Sequence, residues 1–154
     1  MTELLHFEDF HVGRRFECGP YHVTKEEIVE FAREFDPQPH HLDEEAAKKS
    51  LLGGLAASGW HTCAMTMRMF ADSMIPLAAA RGGIGSPEGR WMKPVRPGDV
   101  LRAEAEVVET RPSGSKPFGT VTFACKVFNQ TEQVALILMT PIIAKSGIAT
   151  RGAP

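Results

Sequence analysis

An α+β fold, with one long buried helix set against a single antiparallel sheet, is what this sequence predicts. Three observations carry the prediction. Helix-period apolar stripes are confined to the stretch from Thr24 to Ser73. Strand-type alternation begins only after Gly89 and continues almost to the C-terminus. Apart from one strand near the start, helices and strands are therefore segregated along the chain, where an α/β protein would alternate them.

The elements follow in order. Phe16 to Val23 is rich in β-formers and reads as the first strand. Thr24-Lys25-Glu26-Glu27 is a capping-box signature, with Thr24 as N-cap and Glu27 three residues on. Ile28, Phe31, Ala32 and Phe35 then form one helical stripe, which Pro37 and Pro39 end by forcing the preceding residues out of the helical region. Asp43 caps a second short helix that runs towards Ser50 and stops before Gly53-Gly54. A third helix is expected from Ser58-Gly59 to about Ser73. Ala64, Met65, Met67, Met69 and Phe70 make it apolar on most sides, so burial on most sides is expected. Pro76 and Gly82-Gly83 punctuate its end.

Beyond Gly89, Trp91-Met92 leads into the turn-rich Pro94-Val95-Arg96-Pro97-Gly98-Asp99. Leu101, Ala103, Ala105 and Val107 alternate with charged residues, the pattern of a half-exposed strand. Val121, Phe123, Cys125 and Val127 give another strand. Val134 to Ile143 reads as one continuously apolar strand. Pro112 to Gly119 is expected to be a loop, and Asn129-Gln130 a hairpin turn. One sheet and one helix make a modest core, and the methionine-rich helix offers more apolar surface than they cover. Dimerisation follows from that surplus.

Composition narrows the function classes. The 154 residues suit one domain, taken as 1–154, and a formal charge of −2 gives no basic footprint for nucleic acid or an anionic membrane. Cys18, Cys63 and Cys125 are far apart and odd in number, so neither a disulfide framework nor a zinc site is indicated. The N-terminal stretch carries Glu3, Glu8 and Asp9 and lacks the apolar core of a signal peptide. The apolar run from Cys63 to Ala80 is broken by Arg68, Asp72 and Pro76, which argues against a membrane span. A cytoplasmic protein is the expectation. Gly83-Ile84-Gly85 with Gly89 does not match a dinucleotide-binding fingerprint.

The densest cluster of titratable groups is Asp36-Pro37-Gln38-Pro39-His40-His41-Leu42-Asp43. Its prolines fix φ, so a carboxylate and an imidazole can be held with little entropic cost. Asp36 and His41 lie five residues apart across that stiff turn, a pair suited to holding a water or moving a proton. A purely structural turn is the other reading of the same residues. His40, His41 and Asp43 fall short of the usual four metal ligands, so no metal and no cofactor is expected. His61, alone near a helix start, reads as a packing or capping residue.

These residues carry a resemblance. Phe31-Ala32, the run from Asp36 to Asp43, Ala46, and Gly54-Leu55-Ala56-Ala57-Ser58-Gly59 are similar to the MaoC-like dehydratases, which include the (R)-specific enoyl-CoA hydratases. Trp91 to Asp99 and Asn129-Gln130 extend the likeness, which covers about 7–145 and leaves 146–154 as a C-terminal tail. The resemblance implies a hotdog fold, a long central helix wrapped by an antiparallel sheet, usually paired into dimers. It implies that Asp36 and His41 are the acid–base pair that hydrates a trans-2-enoyl thioester of CoA or acyl carrier protein, or dehydrates the 3-hydroxyacyl thioester. Gly59 matches the glycine whose backbone N–H receives the developing oxyanion.

The departures concern substrate. Gln38 stands where the family commonly has Asn, and Ser58 where many members have His; Trp60 and His61 follow the glycine. Ser58, Trp60 and Arg96 are the candidate substrate-binding residues. Trp60 would narrow an acyl pocket, and Arg96 with Arg90 and Lys93 would meet carrier phosphates unless they are simply solvated. Met65, Met67, Met69 and Met74 either line an acyl tunnel or pack the core. Two rival functions remain: a hotdog thioesterase, although the long helix has no acidic residue before Asp72, and a non-catalytic module that binds acyl thioesters.

Overall fold

The computed structural model describes residues 3–86 and 88–147, so most of the tail expected at 146–154 lies outside the described residues. A single turn of 3-10 helix at Phe7–Asp9 precedes β1 (Arg15–His22). Four helices follow: α1 (Lys25–Phe35), α2 (Pro39–Leu42), α3 (Glu44–Lys48) and α4 (Gly59–Ser73). The remaining strands are β2 (Ala80–Gly83), β3 (Gly89–Trp91), β4 (Val100–Pro112), β5 (Phe118–Phe128), β6 (Gln133–Met139) and β7 (Pro141–Ala144). All seven strands join one sheet along the path β1-β4-β5-β6-β3, with β7 bonded to both β5 and β2. Every pairing between these strands is antiparallel.

The α+β expectation holds, and its cause is visible in the alternation. Leu101, Ala103, Ala105 and Val107 of β4, with Val121, Phe123, Cys125 and Val127 of β5, all face one side and are buried. Against that face lies α4. Its Phe70 meets Phe123 edge to face with ring centroids 5.2 Å apart. Met65, Met69 and Met74 fill the space around it, so three of the four methionines in question pack the core. Where α4 crosses β1, Gly19 has φ +107°, and a Cβ there would stand 3.0 Å from Met69 Sδ. The strand yields to the helix at a bulge between Cys18 and Tyr21.

Several expectations need correction. Helix α4 is not buried on most sides. His61, Thr62, Met65, Thr66, Met69 and Phe70 form the buried face, whereas Trp60, Ala64, Met67 and Arg68 are exposed. The buried threonines stay satisfied because Thr66 donates its hydroxyl to the Thr62 carbonyl at 2.8 Å, so polar residues can occupy the inner face. The apolar run from Val134 to Ile143 is two strands, broken at Thr140. There the Thr140 carbonyl turns to accept from Ile84 N–H at 3.1 Å, and β7 continues along the other end of β5. The glycine-rich stretch read as punctuation contains β2, because pairing with β7 overrides the poor strand propensity of Gly82 and Gly83. The loop expected from Pro112 to Gly119 shrinks, since β4 runs to Pro112 and β5 starts at Phe118.

The helix starts were more legible. Thr24 accepts from Glu27 N–H at 3.2 Å, and Asp43 accepts from Ala46 N–H at 2.9 Å. The Glu27 carboxylate accepts from the Tyr21 hydroxyl at 2.5 Å, which ties α1 to β1. Among the described residues, no helix is long and apolar enough to cross a membrane.

Candidate active site

The stiff turn is in fact a single helical turn. Pro39 takes its first position, where a missing N–H costs nothing, and His41 lies near its end. Asp36 is the C-cap of α1, its N–H bonded to the Ala32 carbonyl at 2.9 Å. The two elements therefore present Asp36 and His41 to each other across Pro37-Gln38. Asp36 Oδ2 lies 3.4 Å from His41 Nε2, and only 16% and 7% of the two side chains are exposed.

Each partner is held from behind. His41 Nδ1 lies 2.7 Å from the Ala56 carbonyl oxygen. A carbonyl can only accept, so Nδ1 carries the proton and, in the neutral ring, Nε2 presents its lone pair. Asp36 is held below the usual carboxylate range, chiefly by the Ser58 hydroxyl, then by the Gln38 amide and the neighbouring His41 and His40; partial burial opposes them. Gln38 Nε2 donates to Asp36 Oδ1 at 2.6 Å. The longer side chain at this position thus reaches back to the carboxylate. Asp36 is therefore ionised at neutral pH.

The N-terminus of α4 completes the site. Ser58 is its N-cap and accepts from Trp60 N–H at 3.2 Å, and its hydroxyl is the main influence lowering the Asp36 pKa. The Gly59 N–H, at the first helical position, has no acceptor within the helix and sits at the positive end of a 15-residue dipole. Asp36, His41, Gly59, Trp60, Trp91 and Lys93 are among the residues around one cavity of about 460 Å³. Trp91 lies flat against Gly59, since a Cβ built on that glycine would fall 2.3 Å from the indole Cδ2.

The other candidates fall elsewhere. Arg96 turns its guanidinium to the chain's own carbonyls: Nη2 donates to Leu52 O and Nη1 to Leu55 O at 3.3 Å. It braces the loop that carries the Ala56 carbonyl. Arg90 pairs with Glu88 at 2.6 Å outside the cavity, whereas Lys93 lies in the cavity wall with its ammonium 3.9 Å from Glu132. His61 is buried and stacked on Phe31, centroids 4.6 Å apart and rings 7° from parallel. Burial lowers its pKa, so it packs as a neutral ring. Sequence reasoning missed two participants. The Ala56 carbonyl has no side-chain signal at all, and Trp91 is 32 residues away from the glycine it covers.

Comparisons with known proteins bear on this arrangement. Residues 9–127 match the family model described as MaoC like domain. The chain is 32% identical over 125 residues to the uncharacterized protein YdeM of Bacillus subtilis, covering 81% of this chain and 88% of that one. A mesaconyl-CoA hydratase of Cereibacter sphaeroides is 32% identical over 75 residues, 49% of this chain and 22% of that protein. Among solved structures, the MaoC-like dehydratase from Rhodospirillum rubrum superposes with a TM-score of 0.85 at 45% identity, covering 92% of this chain and 97% of that one. The unliganded R-hydratase PhaJ1 from Pseudomonas aeruginosa superposes with a TM-score of 0.72 at 26% identity, covering 94% and 88%.

Proposed function

The chain belongs to the MaoC-like domain family and has its hotdog fold, and on that premise we propose that it is a hydro-lyase interconverting trans-2-enoyl-CoA and 3-hydroxyacyl-CoA thioesters. The observation that carries the reading is the orientation of one pair. An ionised Asp36 and the Nε2 of a His41 fixed through Nδ1 to Ala56 converge on one cavity. A CoA-thioester hydratase among the relatives and an R-hydratase among the structural neighbours support the reaction class.

The chemistry follows from two acceptors side by side. A water placed between them donates one hydrogen to the carboxylate and one to the imidazole, which turns its lone pairs towards the substrate. As the oxygen bonds to C3, the pair takes up a proton, and it returns a proton to C2 on the same face. One molecule of water is thereby added across the double bond. Charge building on the thioester oxygen meets the Gly59 N–H at the start of α4. Lys93, loosely paired with Glu132 at 3.9 Å, is the cavity-wall cation that would exchange that partner for the carrier's phosphates, while Arg96 acts on the protein's own loop.

A thioesterase reading is less well supported. Asp72, the first acidic residue of α4, pairs with Arg68 at 2.7 Å on the exposed face of the helix. A homodimer suits the free edge of β3, which among the described strands pairs only with β6. The test uses purified protein and crotonyl-CoA. Loss of the conjugated enoyl absorbance without release of free CoA thiol is the expected result. Thiol release, or saturable binding with neither change, would overturn it.

A further inference from the structure

Beyond the Asp36–His41 cavity lies a second, larger one of about 710 Å³. Its walls are mostly apolar and include Cys63, Met67 and Phe70 of α4, Ile75, and Ile137 and Met139 of β6. Among the described residues, the two cavities share only Trp60 and Trp91. Those rings pack edge to face, with centroids 5.2 Å apart and planes at 74°. Gly59, lacking a side chain, lets Trp91 lie against the helix start and keeps the pair in place.

We infer that the Trp60–Trp91 pair is a partition that limits acyl chain length, and that the apolar cavity behind it admits a longer chain only when the partition is opened. This rests on the proposed hydratase reading, since it places the thioester oxygen at Gly59 and C3 at Asp36–His41. An acyl tail leaving that point meets the two indoles before it reaches the apolar cavity. With the indoles closed, the apolar space behind them is withheld from the tail, so a short acyl group is the substrate class. A tail that passed the partition would gain several-fold in binding for each methylene removed from water.

Two measurements test it. The ratio of kcat/KM for oct-2-enoyl-CoA to that for crotonyl-CoA is low in the wild type and rises by about tenfold or more in Trp60→Ala, the scale of a remodelled apolar pocket. Trp91→Ala opens the partition from the other side and should raise the same ratio. A ratio unchanged in both variants overturns the proposal. The second readout needs no catalysis. Cys63 lines the larger cavity and is half-buried, whereas Cys18 and Cys125 are buried, with thiols pushed up to about 11 and about 12 by desolvation. Octanoyl-CoA, which has no double bond to hydrate, should protect Cys63 from iodoacetamide in Trp60→Ala and not in the wild type. Equal protection in both proteins, or in neither, overturns the partition. Absence of hydration with that contrast intact removes the reaction and leaves the partition standing.

Discussion

Ser58, fully buried at the start of α4, accepts from the Trp60 N–H at 3.2 Å, and its hydroxyl is the largest influence holding the Asp36 carboxyl below the usual range. One side chain thus caps the helix and holds the neighbouring carboxylate ionised. Ser58→Ala removes the largest influence that lowers the Asp36 pKa, so that pKa rises. Hydration needs the carboxylate, and it is lost as pH falls through the Asp36 pKa. The acidic limb of the pH–rate profile should therefore move to higher pH in the variant. Loss of the cap should also cost about 1 kcal/mol of stability, read by urea unfolding. An acidic limb that stays in place would separate Ser58 from the carboxylate's charge.

Removing either acceptor of the water should abolish most turnover. Asp36→Asn keeps the shape and turns an acceptor into a donor at one atom. His41→Ala removes the Nε2 lone pair and frees the Ala56 carbonyl. Each is expected to lower kcat/KM for crotonyl-CoA by about 10²–10⁴. Circular dichroism should remain that of the wild type, since neither group holds the sheet. Wild-type turnover in either variant would dismiss the pair.

How much of this was readable beforehand depends on the range of each interaction. The starts of α1 and α3 and the inner faces of β4 and β5 were legible, because a cap or an alternation is written within a few residues. The exposed face of α4 was not, since burial there depends on which side the sheet approaches. Nor was the break at Thr140, which a distant N–H of Ile84 helps to define. In the site, Asp36, His41 and Gly59 came from a motif. The turn of helix between the first two did not, because a proline that ends one helix can equally begin the next.

The contact between Phe70 and Phe123 joins α4 to the centre of the sheet, and both rings are essentially buried. Phe70→Ala should therefore cost about 3–5 kcal/mol, from the lost apolar burial and the cavity left behind. Urea unfolding should show a lower midpoint with an unchanged slope. A cost below about 1 kcal/mol would mean that the surrounding methionines collapse into the space.

Arg96 offers a sharper choice between two roles. Bonded to the Leu52 and Leu55 carbonyls, it braces the loop that presents Ala56 to His41. Arg96→Ala should then lower kcat with little change in KM, and Arg96→Lys should rescue poorly, because one ammonium does not reproduce the fork across two carbonyls. A phosphate contact would behave differently. It would raise KM for CoA thioesters, leave kcat largely unaffected, and lose its effect in high salt.

Gly59 and Trp91 give the most direct test of the helix start. An alanine Cβ at 59 would overlap the indole at 2.3–2.6 Å, closer than any real contact, so the ring must move. Trp91 is half-exposed, so the displaced ring can move towards solvent at the expense of its packing on Trp60, and the fold should survive. What changes is the packing of the indole against the start of α4, where the Gly59 N–H lies. Gly59→Ala should shift tryptophan fluorescence and reduce hydration by about tenfold or more. Adding Trp91→Ala removes the clash, so the double variant should be less impaired than the two single losses multiplied together. Such a positive coupling is expected only for groups in contact. Strictly multiplicative losses would show that the glycine acts without the indole, and that its missing side chain serves the oxyanion directly.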